Sequence, residues 1–454
     1  MRTRNVPSWR PAGWPRPVRR VAVAIAAVVV LAAVTLTMYR MLRPADNLTT
    51  ASKPLPSAAP TAAYAELASA PLIIDRSVRV YAESRRVWAD TPVSAFREMT
   101  PHWAYRRWPA EVVGVIAMEH QYVWGRPSLV ITKWSDGEVV ALDALTGAVT
   151  WQVRVEPSPA DTFSGRRTGA QTVYQPTGIF TATGPDGRKV LLVPGRDQVR
   201  AYDPWTGVER WHRIFPAQPG CHDVDWTGES TYVVKDSCAT PAVLSIFDAS
   251  TGAPLGTWRP PGASAGPGKE ANWHVEPTAC AQGLSGCRLM KVAATAEVTT
   301  FARAAQGYGG ITPAVWRLGL QGQIAPEPAG SSDTMQVVGD VLVQQMLNGF
   351  VWAYSRSTGE RLWTSDVGGS LVAADDASVY LVSREFALLV LDIKTGTVQS
   401  QTRLRARADE QWTFQNAYLH DGFVVIERLR VGAKETEPDD QYYLSGMPVL
   451  LVDV

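Results

Sequence analysis

The sequence has little charge and no excess of either sign. Charged residues make up 19% of the 454 residues, and 44 basic against 43 acidic residues leave a formal net charge of +1. A protein that binds a polyanion through its overall field carries a basic excess, so this balance argues against a nucleic-acid partner. Hydrophobic residues make up 46% of the chain, which is enough for a large core and excludes disorder over most of its length.

Catalytic and nucleotide-binding motifs are also missing. The chain has no Gly-x-Ser-x-Gly elbow, no P-loop and no dinucleotide fingerprint, and its six histidines include no pair at helical spacing. Its four cysteines form no CxxC or CxxCH motif, which argues against zinc, thioredoxin-type and haem sites. No catalytic residue and no metal ligand is therefore predicted. The motifs leave open whether the protein is an enzyme, and we favour a non-enzymatic role.

Two polar clusters each admit a functional and a structural interpretation. Asp223 and Asp225 follow Cys221 and are either cation ligands or the solvated acids of a disulfide-anchored loop. His274 and Glu276 share one face of a predicted strand, where they form either an acid–base pair or a surface hydrogen bond. We favour the structural interpretation of both.

Two further features are weighed in the same way. Gly307 to Gly310 is interpreted as a flexible loop, because no strand-then-helix context supports phosphate binding. Several tryptophans in the N-terminal part either line a glycan-binding surface or pack between sheets, and we favour packing. These tryptophans are Trp88, Trp103, Trp108, Trp124 and Trp134.

One long apolar run lies near the N-terminus. Val21 to Met38 contains no charged residue and, as a helix, covers about 27 Å, enough to span a bilayer. Six arginines precede it within residues 1–20, so the positive-inside rule predicts a cytoplasmic tail (1–20), a transmembrane helix (21–39) and an extracytoplasmic remainder. A cleaved signal peptide is the alternative, but Thr37-Met38-Tyr39-Arg40 is not a small-x-small site. The predicted location is the plasma membrane, crossed once.

Residues 40–71 are rich in Ala, Pro, Ser and Thr and are predicted to form an extended linker, with the folded part spanning 72–454 and its core 100–454. All four cysteines lie in that folded part, and two disulfides suit an oxidising compartment. Three pairings are possible, and reduced thiols are the alternative. We favour Cys221–Cys238 and Cys280–Cys287, which close the shortest loops.

An internal repeat is the strongest signal in the sequence. The pattern A-x-D-x-x-T-G-x-x-x-W occurs in full twice, and three partial copies follow. The residues that carry the five copies are Asp143, Thr146, Gly147 and Trp151; Asp203, Thr206, Gly207 and Trp211; Asp248, Thr251 and Gly252; Thr358, Gly359 and Trp363; and Asp392, Thr395 and Gly396.

Each copy is interpreted as a β-hairpin. The Asp accepts backbone N–H bonds in a tight turn, the Gly supplies a positive φ, and the Trp on the returning strand packs against a neighbouring sheet. The copies are spaced like propeller blades of about 40–50 residues. One gap holds two units, the second with Val315–Leu318 as its returning strand, and His102–Arg106 is predicted to complete the last sheet. The prediction is an all-β propeller of about seven four-stranded blades.

The repeat resembles the tryptophan-docking repeat of the quinoprotein-type, PQQ-binding-like β-propeller superfamily, over roughly residues 100–454. That superfamily includes quinone-dependent alcohol dehydrogenases and a propeller lipoprotein of the outer-membrane barrel-assembly machinery. The resemblance implies that turn residues and tryptophans hold neighbouring blades together. The implied residues are Asp143, Thr146, Gly147, Trp151, Asp203, Thr206, Gly207, Trp211, Thr358, Gly359 and Trp363.

The sequence departs from the dehydrogenases and from the lipoprotein. It has no adjacent cysteines, no calcium-ligand set that spacing reveals and no lipid-accepting cysteine, so no cofactor is expected. The first hypothesis is a non-enzymatic scaffold that binds a protein or envelope polymer through its loops, with Pro260–Lys269 and Ala433–Gln441 as the most irregular. The alternative is a propeller that binds pyrroloquinoline quinone with calcium, or another small molecule, including a quinoprotein-like oxidoreductase. A sensor is a third possibility, limited by the short tail.

Overall fold

The computed structural model describes residues 16–42, 45–51, 64–119, 127–215, 221–239, 241–263, 265–266, 269–270, 273–294, 314–327, 332, 334–405 and 410–454. The chain forms two compact units, Met1–Asp46 and Asn47–Val454. The first contains helix α1 (Arg16–Leu42). Its segment Arg20–Tyr39 has a mean hydropathy of 2.7 and no buried residue. A helix of this length and composition is able to cross a membrane, and a signal sequence near the N-terminus has the same features.

The second unit is a β-propeller of eight four-stranded antiparallel blades. Alternating sequence explains the strands: in Trp103–Trp108, for example, buried and more exposed side chains alternate, so one face packs and the other is solvated. The strands of the first four blades are, in blade 1, β3 (Leu72–Ile74), β4 (Val78–Glu83), β5 (Arg86–Asp90) and β6 (Trp103–Trp108); in blade 2, β7 (Val112–Met118), β8 (Leu129–Trp134), β9 (Glu138–Asp143) and β10 (Val149–Arg154); in blade 3, β11 (Phe180–Thr183), β12 (Lys189–Pro194), β13 (Gln198–Tyr202) and β14 (Glu209–Ile214); and in blade 4, β15 (His222–Thr227), β16 (Thr231–Asp236), β17 (Val243–Asp248) and β18 (Pro254–Trp258).

The remaining strands complete the ring. They are, in blade 5, β21 (Trp273–Thr278), β22 (Leu289–Ala294), β23 (Ala314–Leu318) and β24 (Ile324–Pro326); in blade 6, β25 (Met335–Val338), β26 (Val341–Gln345), β27 (Val351–Ser355) and β28 (Arg361–Thr364); in blade 7, β29 (Gly369–Ala374), β30 (Ser378–Ser383), β31 (Ala387–Asp392) and β32 (Val398–Arg403); and in blade 8, β33 (Thr413–His420), β34 (Phe423–Leu429), β35 (Val449–Asp453) and β2 (Ala65–Leu67). A short pair, β19 (Ala265–Gly266) and β20 (Lys269–Glu270), lies between blades 4 and 5. Strand β1 (Ala45–Thr49) is hydrogen-bonded outside β6.

The predicted count of seven blades was wrong, because residues 72–108 form a complete blade that the repeat search missed. Blade 1 lacks the D-x-x-T-G turn: a long connection joins β5 to β6, in place of a tight hairpin. Without that turn, its four strands carry no repeat signal.

The strand that closes the ring was also predicted wrongly. His102–Arg106 was expected to complete the last blade, but Trp103–Trp108 is the outer strand of blade 1. The last blade is completed by β2, where Ala65 pairs with Leu451 and Leu67 with Val449. Both β1 and β2 lie within residues 40–71, which were predicted to be an extended linker.

Blade 5 differs from its prediction in one strand. Val315–Leu318 lies in β23, the third strand, and β24 is the returning strand. Both disulfides were predicted correctly: Cys221 is bonded to Cys238 in blade 4, and Cys280 to Cys287 in blade 5.

Antiparallel connectivity gives the ring two distinct faces. The turns between first and second strands and those between third and fourth strands lie on one face, which we call the first-turn face. The turns between second and third strands and the connections between blades lie on the other, the second-turn face. Two short helices belong to the second-turn connections, α2 (Ala170–Tyr174) and α3 (Asp439–Tyr442).

Candidate functional site

The repeated turns are held by their own side chains. In blade 2, Asp143 Oδ1 accepts hydrogen bonds from the backbone N–H and the hydroxyl of Thr146, at 2.8 and 2.9 Å. Gly147 has φ 73°, which a residue with a Cβ adopts only at a cost. Asp392 repeats this arrangement with Thr395. The hydrogen bond from the backbone N–H of Thr395 lowers the pKa of Asp392 most, and the bond from the Thr395 hydroxyl lowers it further.

The fourth copy, which has Ser355 in place of the Asp, obtains its carboxylate from a neighbouring turn. Asp340 accepts hydrogen bonds from the Ser355 hydroxyl at 2.8 Å and from the backbone N–H of Ser357 at 2.8 Å. The Ser357 hydroxyl lowers the pKa of Asp340. This blade therefore keeps the turn although its pattern is incomplete.

The repeat tryptophans lie on the turn of the following blade. The indole N–H of Trp151 donates to Pro204 O at 3.0 Å, and the ring lies so close to Gly207 that a Cβ there would stand 2.8 Å from it. Trp211 contacts Ala249 O and Gly252, and Trp363 contacts Ile393 O and Gly396 in the same way. Trp103 in blade 1, which the repeat search did not include, contacts Ala144 O and Gly147. The repeat residues are engaged in turn formation and blade contact, so a functional site lies elsewhere.

The connection between blades 2 and 3 (residues 155–179), which we call the crossing connection, enters the central channel. Its helix α2 contacts β4 and the first strands β7 and β33, which belong to three adjacent blades. From the opposite side, Gln282 Nε2 of blade 5 donates to Val173 O at 2.8 Å. Tyr174 stacks on Tyr418 of blade 8, with ring centroids 4.6 Å apart. The channel is therefore crossed by a protein segment.

Buried polar contacts fix the crossing connection at both ends. Lys133 Nζ donates to Asp161 Oδ1 at 2.8 Å, with both side chains almost fully buried, and burial lowers the pKa of Lys133 while Asp161 opposes that shift. The Thr168 hydroxyl donates to the buried carboxylate of Glu427, which also accepts from Asn416 Nδ2 at 2.7 Å. An unpaired buried charge is costly, so each of these pairs holds its segment in place.

A cavity of about 820 Å³ remains at the first-turn end of the channel, and we call it the channel pocket. Inner-strand residues of blades 3, 6, 7 and 8 and the disulfide loop Cys280–Cys287 form its wall, and Tyr174 and Tyr418 line it at depth. The loop is held against the neighbouring blades, because Thr181 N donates to Ser285 Oγ at 3.0 Å and Thr227 N to Leu284 O at 2.9 Å.

The first turns around the channel pocket carry many carboxylates, and three of them, Glu229, Asp375 and Asp376, line the pocket. In the part of the chain that the structure describes, the first turn of every blade but blade 5 carries an acid; these acids are Asp75, Glu119, Asp186, Glu229, Asp340, Asp375, Asp376 and Asp421. Lys189 and Arg288 line the same pocket, and Arg288 Nη2 lies 2.6 Å from Glu229 Oε1. The pKa of Glu119 is raised to about 7, mainly by burial and further by the negative charges of Asp421 and Asp75. Burial lowers the pKa of Lys189.

These residues do not suit pyrroloquinoline quinone with calcium. The quinone carries several carboxylates, whereas the channel pocket offers Lys189 and Arg288 against Glu229, Asp375 and Asp376. Among the described residues, the only group of three potential metal ligands is Cys221, Asp236 and Cys238, and both of its sulfurs are in a disulfide.

The other sequence candidates are placed apart from the channel pocket. Asp225 accepts a hydrogen bond from the Tyr232 hydroxyl at 2.7 Å. Glu276 lies 3.2 Å from Lys291 Nζ, next to His274 on β21. Trp88 stacks on Tyr81, Trp134 contacts Tyr105 edge-on, and Arg85 lies over Trp108. Trp124 and Gly307–Gly310 lie outside the described residues, as does part of Pro260–Lys269.

Sequence reasoning missed the residues of the channel pocket. Tyr174, Lys189, Arg288, Asp376 and Tyr418 lie far apart in sequence and belong to different blades or connections. No fixed spacing relates them. The one available signal was the recurrence of an acid after the first strand of every blade but blade 5.

A comparison with models of protein families gives one match. A family model described as outer membrane protein assembly factor BamB matches residues 135–268 and 312–431. A comparison with curated proteins finds no match.

Among solved structures, BamB from Moraxella catarrhalis is 16% identical, covering 89% of this chain and 99% of that one, with a TM-score of 0.42. The computationally designed protein Ika8 is 12% identical, covering 86% and 98%, with a TM-score of 0.45. Sqt1 from Saccharomyces cerevisiae is 10% identical, covering 86% and 98%, with a TM-score of 0.43. The family match spans more than half of the sequence, and the chain therefore belongs to the family of β-propellers described as outer membrane protein assembly factor BamB.

Proposed function

We propose that this protein is a non-enzymatic, membrane-anchored propeller that binds a protein or an envelope polymer outside the cytoplasm. The observation that carries the proposal is the match to a family named for assembly of outer membrane proteins, in a chain whose repeat residues are engaged in blade contact. In such a ring, recognition falls to the connections that differ from blade to blade.

The second-turn face supplies a rigid surface for this role. Arg166 of the crossing connection donates to Glu437 O at 3.0 Å and to Asp439 Oδ1 at 3.0 Å. Arg167 donates to Gly446 O at 3.1 Å. Two long connections, 155–179 and 430–448, thus form one surface, which includes the segment Ala433–Gln441 that the sequence singled out. A surface ordered before binding loses less conformational entropy when the partner arrives.

Helix α1 is proposed as the anchor. The positive-inside rule places the arginine-rich tail in the cytoplasm and the propeller outside. The two disulfides support that orientation, since disulfides persist in oxidising compartments. Protease added to intact spheroplasts should digest the propeller while the protein remains with the membrane after alkaline extraction. Protection from the protease would overturn the orientation, and release by alkali would overturn the anchor.

Site-specific crosslinking tests the partner surface. A photocrosslinking residue at Asp440, on the second-turn surface, should give a discrete adduct in membranes of the native host. The same residue at Gln399, on the exposed outer strand of blade 7, serves as the matched control and should give none. Mass spectrometry of the purified adduct separates the two kinds of partner, because a protein adds foreign peptides and a polymer adds none. No adduct at Asp440, or the same adduct from both positions, would contradict the proposal.

The small-molecule alternative has its own test. Purified protein is titrated with pyrroloquinoline quinone and calcium, and heat and absorbance are followed. We expect no saturable binding, because the channel pocket opposes carboxylates with carboxylates. Stoichiometric binding would replace the scaffold proposal by the alternative.

A further inference from the structure

We propose that the channel pocket binds a small organic cation, an amine or guanidinium carried on a flat or apolar body. This inference is independent of the partner surface, because it concerns the opposite face of the ring.

The size and closure of the channel pocket are the first reason. Its volume of about 820 Å³ lies within the range of roughly 300–1,000 Å³ typical of small-molecule sites. The crossing connection blocks the channel, since α2 reaches from blades 1, 2 and 8 to the disulfide loop of blade 5. A ligand therefore enters from the first-turn face and stops at the tyrosine pair.

The depth of the channel pocket offers a polar group that the protein leaves unused. Tyr174 lines the cavity, and its phenol makes no hydrogen bond with any residue that the structure describes. Its ring is fixed by stacking on Tyr418, whose own hydroxyl donates to Pro71 O at 2.8 Å. Tyr174 is part-buried, so its phenol is open to the cavity and available to a ligand.

The charged residues at the mouth of the channel pocket determine whether the ligand is a cation or an anion. Asp376 is exposed, lines the channel pocket and has no ion-pair partner among the described residues. Glu229 and Asp375 line it as well, against Lys189 and Arg288, and Arg288 is already paired with Glu229. Glu119 interacts electrostatically with Lys189, and Asp75 and Asp421 interact with Glu119. Three acids and two bases line the channel pocket, and this excess of one carboxylate favours a cation over an anion.

Calorimetric titration of the full-length protein with agmatine tests the site, with glutarate as an anion of similar length. We expect saturable binding of agmatine and none of glutarate. Tyr174→Phe removes only the hydroxyl and keeps the stacked ring, so it should weaken agmatine binding about fivefold. Asp376→Asn should weaken it by about threefold to tenfold. The matched control Asp440→Asn, which removes a carboxylate on the other face, should leave it unchanged.

The pH dependence gives a second readout. Glu119 faces Asp75, Asp421 and Lys189, and it loses its proton near pH 7. Agmatine should therefore bind more tightly at pH 8 than at pH 6, and Glu119→Gln should reduce that difference. Any loss of the positive charge of Lys189 as the pH rises would also strengthen agmatine binding.

Three results would overturn the proposal. They are no saturable agmatine binding by folded protein, preferential binding of glutarate, and equal losses in Asp376→Asn and Asp440→Asn with none in Tyr174→Phe. The last would show that agmatine binds to the surface at large. The crosslinking at Asp440 is unaffected by any of them, so the two proposals fail separately.

Discussion

Blades 1 to 4 and blades 4 to 6 are joined by different chemistry. Trp103, Trp151 and Trp211 each lie on the turn of the next blade and donate to one of its carbonyl oxygens. On either side of blade 5, no indole of the described residues lies on the turn of the next blade in this way. Instead, the indole N–H of Trp273 on β21 donates back to Ala242 O of blade 4 at 3.2 Å. At the boundary of blades 4 and 5, Trp258 packs edge-on against Trp316, with centroids 5.1 Å apart.

The boundary of blades 5 and 6 uses an ion pair. Arg356 Nε lies 3.2 Å from the carboxylate of Glu327, whose side chain is fully buried. Both disulfides also lie in blades 4 and 5. The ring therefore does not require one type of contact between blades. Where no indole lies on the next blade's turn, an aromatic cluster, a hydrogen bond from Trp273 and a buried charge pair join the blades. Each disulfide closes a loop within its own blade.

The largest effect is expected from removing a docked indole. Trp151→Ala or Trp211→Ala should lower the free energy of unfolding by about 3–5 kcal/mol, because each loses a large ring, buried in Trp151 and part-buried in Trp211, and its hydrogen bond. Urea titration of the full-length protein measures this. Trp108→Ala, which removes a ring that is 42% exposed, is the control and should cost much less. If Trp108→Ala lowered the free energy of unfolding as much as the docked variants do, the contact of the indole with the next blade would not be the source of the stability.

Loss of the disulfides should have the next largest effect. Reduction should lower the free energy of unfolding by about 2–4 kcal/mol, because the unfolded chain gains freedom. Paired Cys→Ser variants separate Cys221–Cys238 from Cys280–Cys287. An unchanged melting temperature under reductant would remove the crosslinks from the explanation of blades 4 and 5.

Breaking the ion pair at blade 5 should have a smaller effect. Glu327→Gln should cost about 1–3 kcal/mol, since Arg356 is left without its charged partner. Glu385→Gln, in an exposed turn of blade 7, is the control. A double-mutant cycle with Arg356→Gln measures the coupling, and additive losses would mean that this boundary is held by other contacts.

The smallest effect is expected at the docking turn itself. Gly207→Ala should cost about 1–2 kcal/mol from its positive φ, with an added cost because the new Cβ lies against Trp151. Gly187→Ala has a similar φ and nothing within 4 Å, so it measures the backbone cost alone. In a Trp151→Ala background the two substitutions should become equal. A difference that persists there would contradict the proposed contact.

Sequence reasoning reached the fold class, both disulfides and five of the hairpins, but not the blade count. The turns were readable because Asp, Thr and Gly contact one another within five positions of the chain. Blade 1 could not be recognised from the sequence. Its docked indole, Trp103, follows a long connection and no turn motif precedes it. None of the residues that form the channel pocket was identified.

The sequence by itself determined the local units: the tight turns, the indole four residues beyond three of the repeat glycines and the apolar N-terminal helix. Each of these depends on residues close together in the chain, so spacing alone reveals them. Only the tertiary structure decided that eight blades close through the pairing of Ala65–Leu67 with the C-terminal strand. It also decided that residues 155–179 block the channel and leave a pocket with an acidic mouth. Those features join positions hundreds of residues apart, and their contacts exist only once the ring has closed.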